Sequence, residues 1–405
     1  MNLMFLTLMY PPNKIDEFRK KSKNGLQMQI QNYQEAFLEG INSNLLKEDK
    51  FFGINCPPVG LYPMQYKELF IPKTSVKNVV NVETFNFPFF KQWFRQLAVI
   101  KQLKIWLCKK PENPIVLVYT QYMPFMQALK KIKKQYPNLK VCVIVTDLPN
   151  KWGLDSGRKG ITKAIEKYMG NKSLNLLKRM DSYVLLTEPM NEIINKNNKP
   201  YLVLEGMIKE ENLSPKSLEF SLPYKTNLPV VFYSGTLNKE VGIEELLTAF
   251  AEYNTAELWI CGNGPYLERV KEMSIKHSNI KYLGLLSLQE VWSIQKKVTL
   301  LINPRNSQSM YTKYSFPSKT LEYMRSGTPV LCYPLEGIPK EYFQYLNLIK
   351  DETSDGIKTA LNYFFSKSEK ERQNIAYKAK DFVLSKKSPD FQGEKLVSFL
   401  NKIAK

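Results

Sequence analysis

The chain has 405 residues, 43% apolar and 12% aromatic, and a formal net charge of +20. That length exceeds one ordinary domain, and the apolar content suffices for two cores in domains of about 200 residues each. Five scattered cysteines, Cys56, Cys108, Cys142, Cys261 and Cys332, include no Cys-x-x-Cys pair, so neither a disulfide framework nor a zinc site is suggested and a reducing, cytoplasmic compartment fits best.

Residues 1–205 hold 31 Lys and Arg against 16 Asp and Glu, and the remainder 27 against 22. The positive field of the N-terminal half favours an anionic partner: a phospholipid surface, a lipid-linked diphosphate or nucleic acid. A lysine-rich solubilising surface is the plainer alternative.

Met1 to Tyr10 are apolar, lack a basic leader and run into Pro11-Pro12, the pattern of a first strand and not of a signal peptide. No apolar run approaches the roughly 18 residues of a membrane span, so a soluble or peripheral chain is expected. Short apolar runs then alternate with longer amphipathic stretches, which predicts α/β units with parallel sheets, twice over. In the first half the pattern gives strands at Leu3–Met9, Ile115–Tyr119, Val141–Thr146 and Tyr183–Thr187. Helices fit near Gln27–Leu38, Phe90–Cys108, Pro124–Gln135 and Ile161–Arg179. The stretch from Phe85 to Lys110 mixes aromatics with Lys91, Arg95, Lys101, Lys104 and Lys109. Such a helix suits a bilayer interface, or a core helix whose lysines reach outward.

Residues 1–205 form the expected first domain, and 206–228, with Pro215 and Pro223, form a polar linker. The second domain spans 229–390. Its strands are read at Val230–Tyr233, Leu258–Cys261, Ile280–Tyr282, Leu300–Ile302 and Pro329–Cys332, and its helices at Ile243–Ala251, Tyr266–Ser274, Leu288–Gln295 and Pro317–Ser326. A last helix, 391–405, can pack on either half.

Residues 314–330 read YSFPSKTLEYMRSGTPV. Pro317 suits the first helical position, where its missing N–H would be unpaired anyway, and Gly327 suits the left-handed residue after the helix. The helix N-terminus leaves the amides of Ser318 and Lys319 free and adds the Lys319 ammonium beside them, which makes a diphosphate site. Glu322 lies one turn on, facing Ser318, where a carboxylate can accept bonds from the two hydroxyls of a ribose.

This segment resembles the FPSK-type variant of the signature of glycosyltransferase family 4, in which the helix carries the second glutamate of a Glu-x7-Glu motif. Glu322 matches that glutamate, and Tyr314 stands at the first position. Val231–Leu237 followed by Gly242–Ala249 is similar to the family's glycine loop and helix. Ile260–Pro265 is similar to its Gly-x-Gly-Pro loop, and Leu301–Arg305 ends a strand at the same edge. The resemblance implies a GT-B architecture, two Rossmann-like domains facing a cleft. It further implies donor contacts from Gly235, Thr236, Lys239, Gly262, Gly264, Tyr314, Ser318, Thr320 and Glu322, with Arg305 and Lys319 on the diphosphate. Gly262 and Gly264 equally suit a plain strand–helix turn, Arg305 a surface ion pair, and Lys239 a solvated loop. Asp147 stands at a strand's carboxyl end and is assigned a hydroxyl of acceptor or donor; an Asx turn before Pro149 is its plainer use.

The expected reaction is retaining transfer of a hexose from a nucleoside-diphosphate sugar, a UDP-sugar, to a lipid-linked or other saccharide acceptor at the inner face of the cell membrane. No resident cofactor and no nucleic-acid partner are expected. The sequence has no Asp-x-Asp and its only histidine, His277, lies in the second half, so neither a metal site nor a histidine base in the first domain is expected. A catalytically silent GT-B partner and a nucleotide-sugar epimerase are the rival readings.

Overall fold

The computed structural model describes residues 1–149, 160–209 and 224–405. The chain divides into two compact units, Met1–Met207 with Pro389–Lys405, and Ile208–Ser388. Of the expected linker, residues 210–223 with Pro215 and Pro223 lie outside the described residues.

The first unit contains strands β1 (Asn2–Thr7), β2 (Lys50–Asn55), β3 (Phe70–Ile71), β4 (Thr74–Val76), β5 (Val79–Asn81), β6 (Thr84–Phe85), β7 (Pro114–Tyr119), β8 (Lys140–Val145), β9 (Ser182–Leu185) and β10 (Tyr201–Val203). Eight of them form one sheet in the order β10-β9-β8-β7-β1-β2-β5-β4, parallel except for β4 against β5, and β3 and β6 pair separately. Strands β7 and β8 are buried almost end to end, as runs covered on both faces by helices must be. The last helix, Pro389–Ala404, packs on the helix Met28–Asn44. Two glycines permit that approach: a Cβ on Gly40 would lie 2.3 Å from the Pro389 carbonyl oxygen, and one on Gly393 2.2 Å from that of Gly40.

The helix Phe90–Leu107 corrects one expectation. Lys91 and Arg95 do not reach outward; they are 6% and 2% exposed. Lys91 Nζ donates to the Val59 carbonyl, and Arg95 donates to the Pro57 carbonyl, to Thr84 Oγ1 at 3.2 Å and to Tyr122 Oη at 3.0 Å. Main-chain oxygens after β2 thus take both cations inward. Burial, and then the neighbouring Arg95 charge, lowers the Lys91 pKa to about 7 from 10.5. The unfolded chain keeps that proton across this window while the folded chain releases it. Stability should therefore rise with pH from about 7 to about 10, by at most about 1.4 kcal/mol per pH unit. Lys91→Met should flatten this slope in urea titrations, and equal slopes for the two proteins would contradict the burial.

In the second unit, β11 (Val230–Thr236), β12 (Glu257–Asn263), β13 (Ile280–Tyr282), β14 (Leu300–Asn303), β15 (Val330–Cys332) and β16 (Asn347–Leu348) form an all-parallel sheet in the order β13-β12-β11-β14-β15-β16. Its core includes Val231, Phe232, Leu258, Trp259, Leu301 and Leu331. The chain winds outward from β11 to β13, then crosses back to β14 and winds outward the other way. The carboxyl ends of β11 and β14 therefore flank the switch point, where parallel α/β sheets open a crevice for ligands.

Candidate functional site

The helix Ser318–Ser326 brings its N-terminus to that crevice. It starts one residue later than expected: Pro317 is its extended cap (φ −76°, ψ 94°), while Gly327 closes it in the left-handed region at φ +79°. Its apolar face, Leu321, Tyr323 and Met324, is buried. Tyr323 sets the position, because its hydroxyl accepts from the Ser234 amide at 3.0 Å on β11. First-turn amides have no helical acceptor, so those of Ser318 and Lys319 remain for a ligand. Ser318 itself is exposed.

Lys319 lies directly over Gly235: a Cβ there would sit 2.5 Å from Lys319 Cε and 3.0 Å from Nζ. Among the described residues, Lys319 and Glu322 make no hydrogen bond or ion pair. The ends of β11 and β12 and the loops that follow them also touch through glycines. A Cβ on Gly262, whose φ is +143°, would lie 1.8 Å from the Gly235 carbonyl oxygen, and one on Gly264 2.2 Å from that of Leu237. Both glycines are thus required by backbone contact, whatever the loop binds.

Arg305 follows β14 across the switch point. The loop after β11 rests beside it, since a Cβ on Gly242 would lie 2.0 Å from the Pro304 carbonyl oxygen. The Arg305 guanidinium stacks 4.7 Å from the Tyr311 ring centroid, and its Nη2 is buried without a hydrogen-bond partner among the described residues. Burial pushes its pKa down, with the Tyr311 hydroxyl acting in the opposite direction. A desolvated cation with an open donor is costly until an anion meets it.

The structure thus gathers Gly235, Gly262, Gly264, Arg305, Lys319 and the start of the helix at one sheet edge. Thr236 is exposed at the end of β11 and Lys239 in the loop after it, where Lys239 opens a short 3₁₀ turn, Lys239–Val241, capped by Asn238. Tyr314 is 7% exposed at the end of the 3₁₀ segment Met310–Tyr314. Thr320 is fully buried, and its hydroxyl has no partner among the described residues; it lies on the helix's inner face. Asp147 belongs to the first unit, exposed just after β8, with its carbonyl accepting from Gln121 Nε2 at 2.5 Å. Tyr311 and Tyr323, which orient Arg305 and the helix, carry no spacing signal in the sequence.

Residues 216–382 match the family model "Glycosyl transferases group 1". Among solved structures, sucrose-phosphate synthase from Thermosynechococcus elongatus is similar with a TM-score of 0.66 and 12% identity, over 99% of this chain and 98% of that one. The E. coli trehalose-6-phosphate protein bound with UDP-2-fluoro glucose is similar at 0.63 and 12% identity, over 100% and 99%. Anabaena HepE in complex with UDP is similar at 0.57 and 13% identity, over 99% and 100%. No curated protein sequence matches the chain. The fold is that of the GT-B proteins, with two Rossmann-like domains, and the enzyme class that the match and the fold support is glycosyltransferase.

Proposed function

We propose that the chain is a retaining transferase of glycosyltransferase family 4 that moves a hexose from a UDP-sugar to a hydroxyl of a lipid-linked saccharide in surface polysaccharide synthesis. The observation that carries the donor assignment is the pair of cations, Arg305 and Lys319, that make no ion pair among the described residues and stand with a helix N-terminus at the switch point. That set matches a diphosphate. Glu322, one turn along the helix and without an ion pair among the described residues, takes the ribose hydroxyls. As the sugar leaves, negative charge grows on the diphosphate. Arg305, Lys319 and the first-turn amides hold that charge, and the departing phosphate accepts the proton of the incoming hydroxyl.

With two cations already facing the phosphates, a divalent metal is unneeded. Incubation with a panel of nucleotide sugars in EDTA should give slow hydrolysis of one donor. Turnover of none, or turnover only after Mn²⁺ is added, would overturn this reading. UDP binding without any turnover would favour the silent-partner alternative, to which the buried Tyr314 at the first motif position lends support.

We place the enzyme on an anionic cytoplasmic membrane face. No helix among the described residues is long and apolar enough to cross a membrane. Support comes from the charge of the N-terminal half and from Phe89 and Phe90, 96% and 51% exposed. Sedimentation with phosphatidylglycerol vesicles should weaken with salt; salt-independent pelleting, or none, would contradict the placement.

A further inference from the structure

The first unit carries a second concave site. Helices Phe90–Leu107, Met123–Gln135 and Ile161–Leu177 border a groove of about 610 Å³, within the size range of ligand sites. Five cations line it, Lys130, Lys131, Lys134, Lys172 and Arg179, with no carboxylate among the described lining residues. Among the described residues, none of the five makes an ion pair. The contrast lies on the same helix, where Lys133 pairs with Asp181 outside the groove. Cations collected in a concavity without counter-charge focus a positive field and draw anions in.

Charge is only part of the lining. Trp93 and Tyr168 stand in the groove 53% and 65% exposed. Rings left in water within a concavity offer flat apolar faces to a ligand. Gln127 and Asn175 add side-chain amides, which both donate and accept. Sugar rings stack their C–H faces on aromatics, their hydroxyls pair with amides, and phosphate or carboxylate substituents pair with lysine and arginine. A bilayer calls for a different shape, an outward apolar face whose cations meet headgroups in a plane, and leaves an amide-lined concavity unfilled.

We propose that this groove binds an anionic saccharide chain, one whose sugars carry phosphate or carboxylate groups. Its use as an acceptor subsite rests on the transfer reading above, whereas the binding does not. The full-length protein is titrated calorimetrically with hexagalacturonate, with neutral maltohexaose and with inorganic polyphosphate of similar charge, and is pelleted with phosphatidylglycerol vesicles. Hexagalacturonate should bind more tightly than either soluble control. The combined Lys131→Ala, Lys134→Ala and Arg179→Ala variant should lose about tenfold in that affinity, and Trp93→Ala about fivefold. Thermal midpoints should stay at the wild-type value, and UDP affinity, a property of the other unit, should not move. The proposal is overturned if hexagalacturonate does not bind, if neither variant changes its affinity, or if polyphosphate binds equally well, which would mean charge without sugar recognition. It is likewise overturned if vesicle binding alone depends on the three cations, which would make the groove a membrane contact.

Discussion

Arg305→Ala and Lys319→Ala should each weaken UDP binding by about 10- to 100-fold, as loss of a charge-assisted hydrogen bond costs about 1.5–3 kcal/mol. Stability should move the other way in the first case. Arg305 Nη2 is buried without a hydrogen-bond partner among the described residues, so alanine removes a desolvation penalty and should leave the thermal midpoint unchanged or raised. A residue that costs stability without ligand and gives affinity with it is a binding residue. Calorimetry and thermal unfolding on the same samples check both halves. Full UDP affinity in Arg305→Ala, or a large fall in its melting temperature, would assign Arg305 to structure instead.

Gly262→Ala should be the most damaging single substitution at the site. Its Cβ would lie 1.8 Å from the Gly235 carbonyl oxygen, a main-chain atom of the neighbouring strand that cannot swing aside, and its φ of +143° is strained for any side chain. Strain and overpacking together should cost about 2–5 kcal/mol and, by displacing Gly235 from beneath Lys319, UDP affinity as well. Gly284→Ala separates the two effects. Its φ is +77° but nothing lies within 4 Å of the added Cβ, so it should cost only about 1 kcal/mol and spare nucleotide binding. Equal stability of the two variants would show that the β11–β12 contact is looser than described.

The central strands and the helix Ser318–Ser326 were legible because continuous apolar runs and a Gly after the last turn are local signals. Strands β2, β10 and β16 were not. Gly53 interrupts the apolar run of β2, where it lets β5 approach, its Cβ position being 2.9 Å from Val79 Cγ2. Strands β10 and β16 have only three and two residues, too few to show a period. The helix after Met28 runs to Asn44, beyond the expected Leu38, because Gly40 is kept helical by its contact with Gly393, 353 positions along the chain. Within the site, the motif positions Gly235, Lys319 and Arg305 could be read from spacing. The aromatic partners that orient them could not, since Tyr311 stacks on Arg305 through a loop and Tyr323 reaches Ser234 across the sheet edge. Thr320 illustrates a legible feature left unread: it is four residues before Met324 and shares that buried face. Lys91 and Arg95 show the opposite limit, because only the carbonyls of Pro57 and Val59, distant in sequence, explain why two cations turn inward.

A crystal structure of the full-length protein with UDP, grown in EDTA, tests the central claim most directly. The diphosphate should lie against Gly235, with its oxygens bonded to Lys319 Nζ, to the free Nη2 of Arg305 and to the amides of Ser318 and Lys319, and the ribose hydroxyls should reach Glu322. Nucleotide density elsewhere in the molecule, or at this edge with Arg305 Nη2 still unpaired and Glu322 turned to solvent, would contradict it.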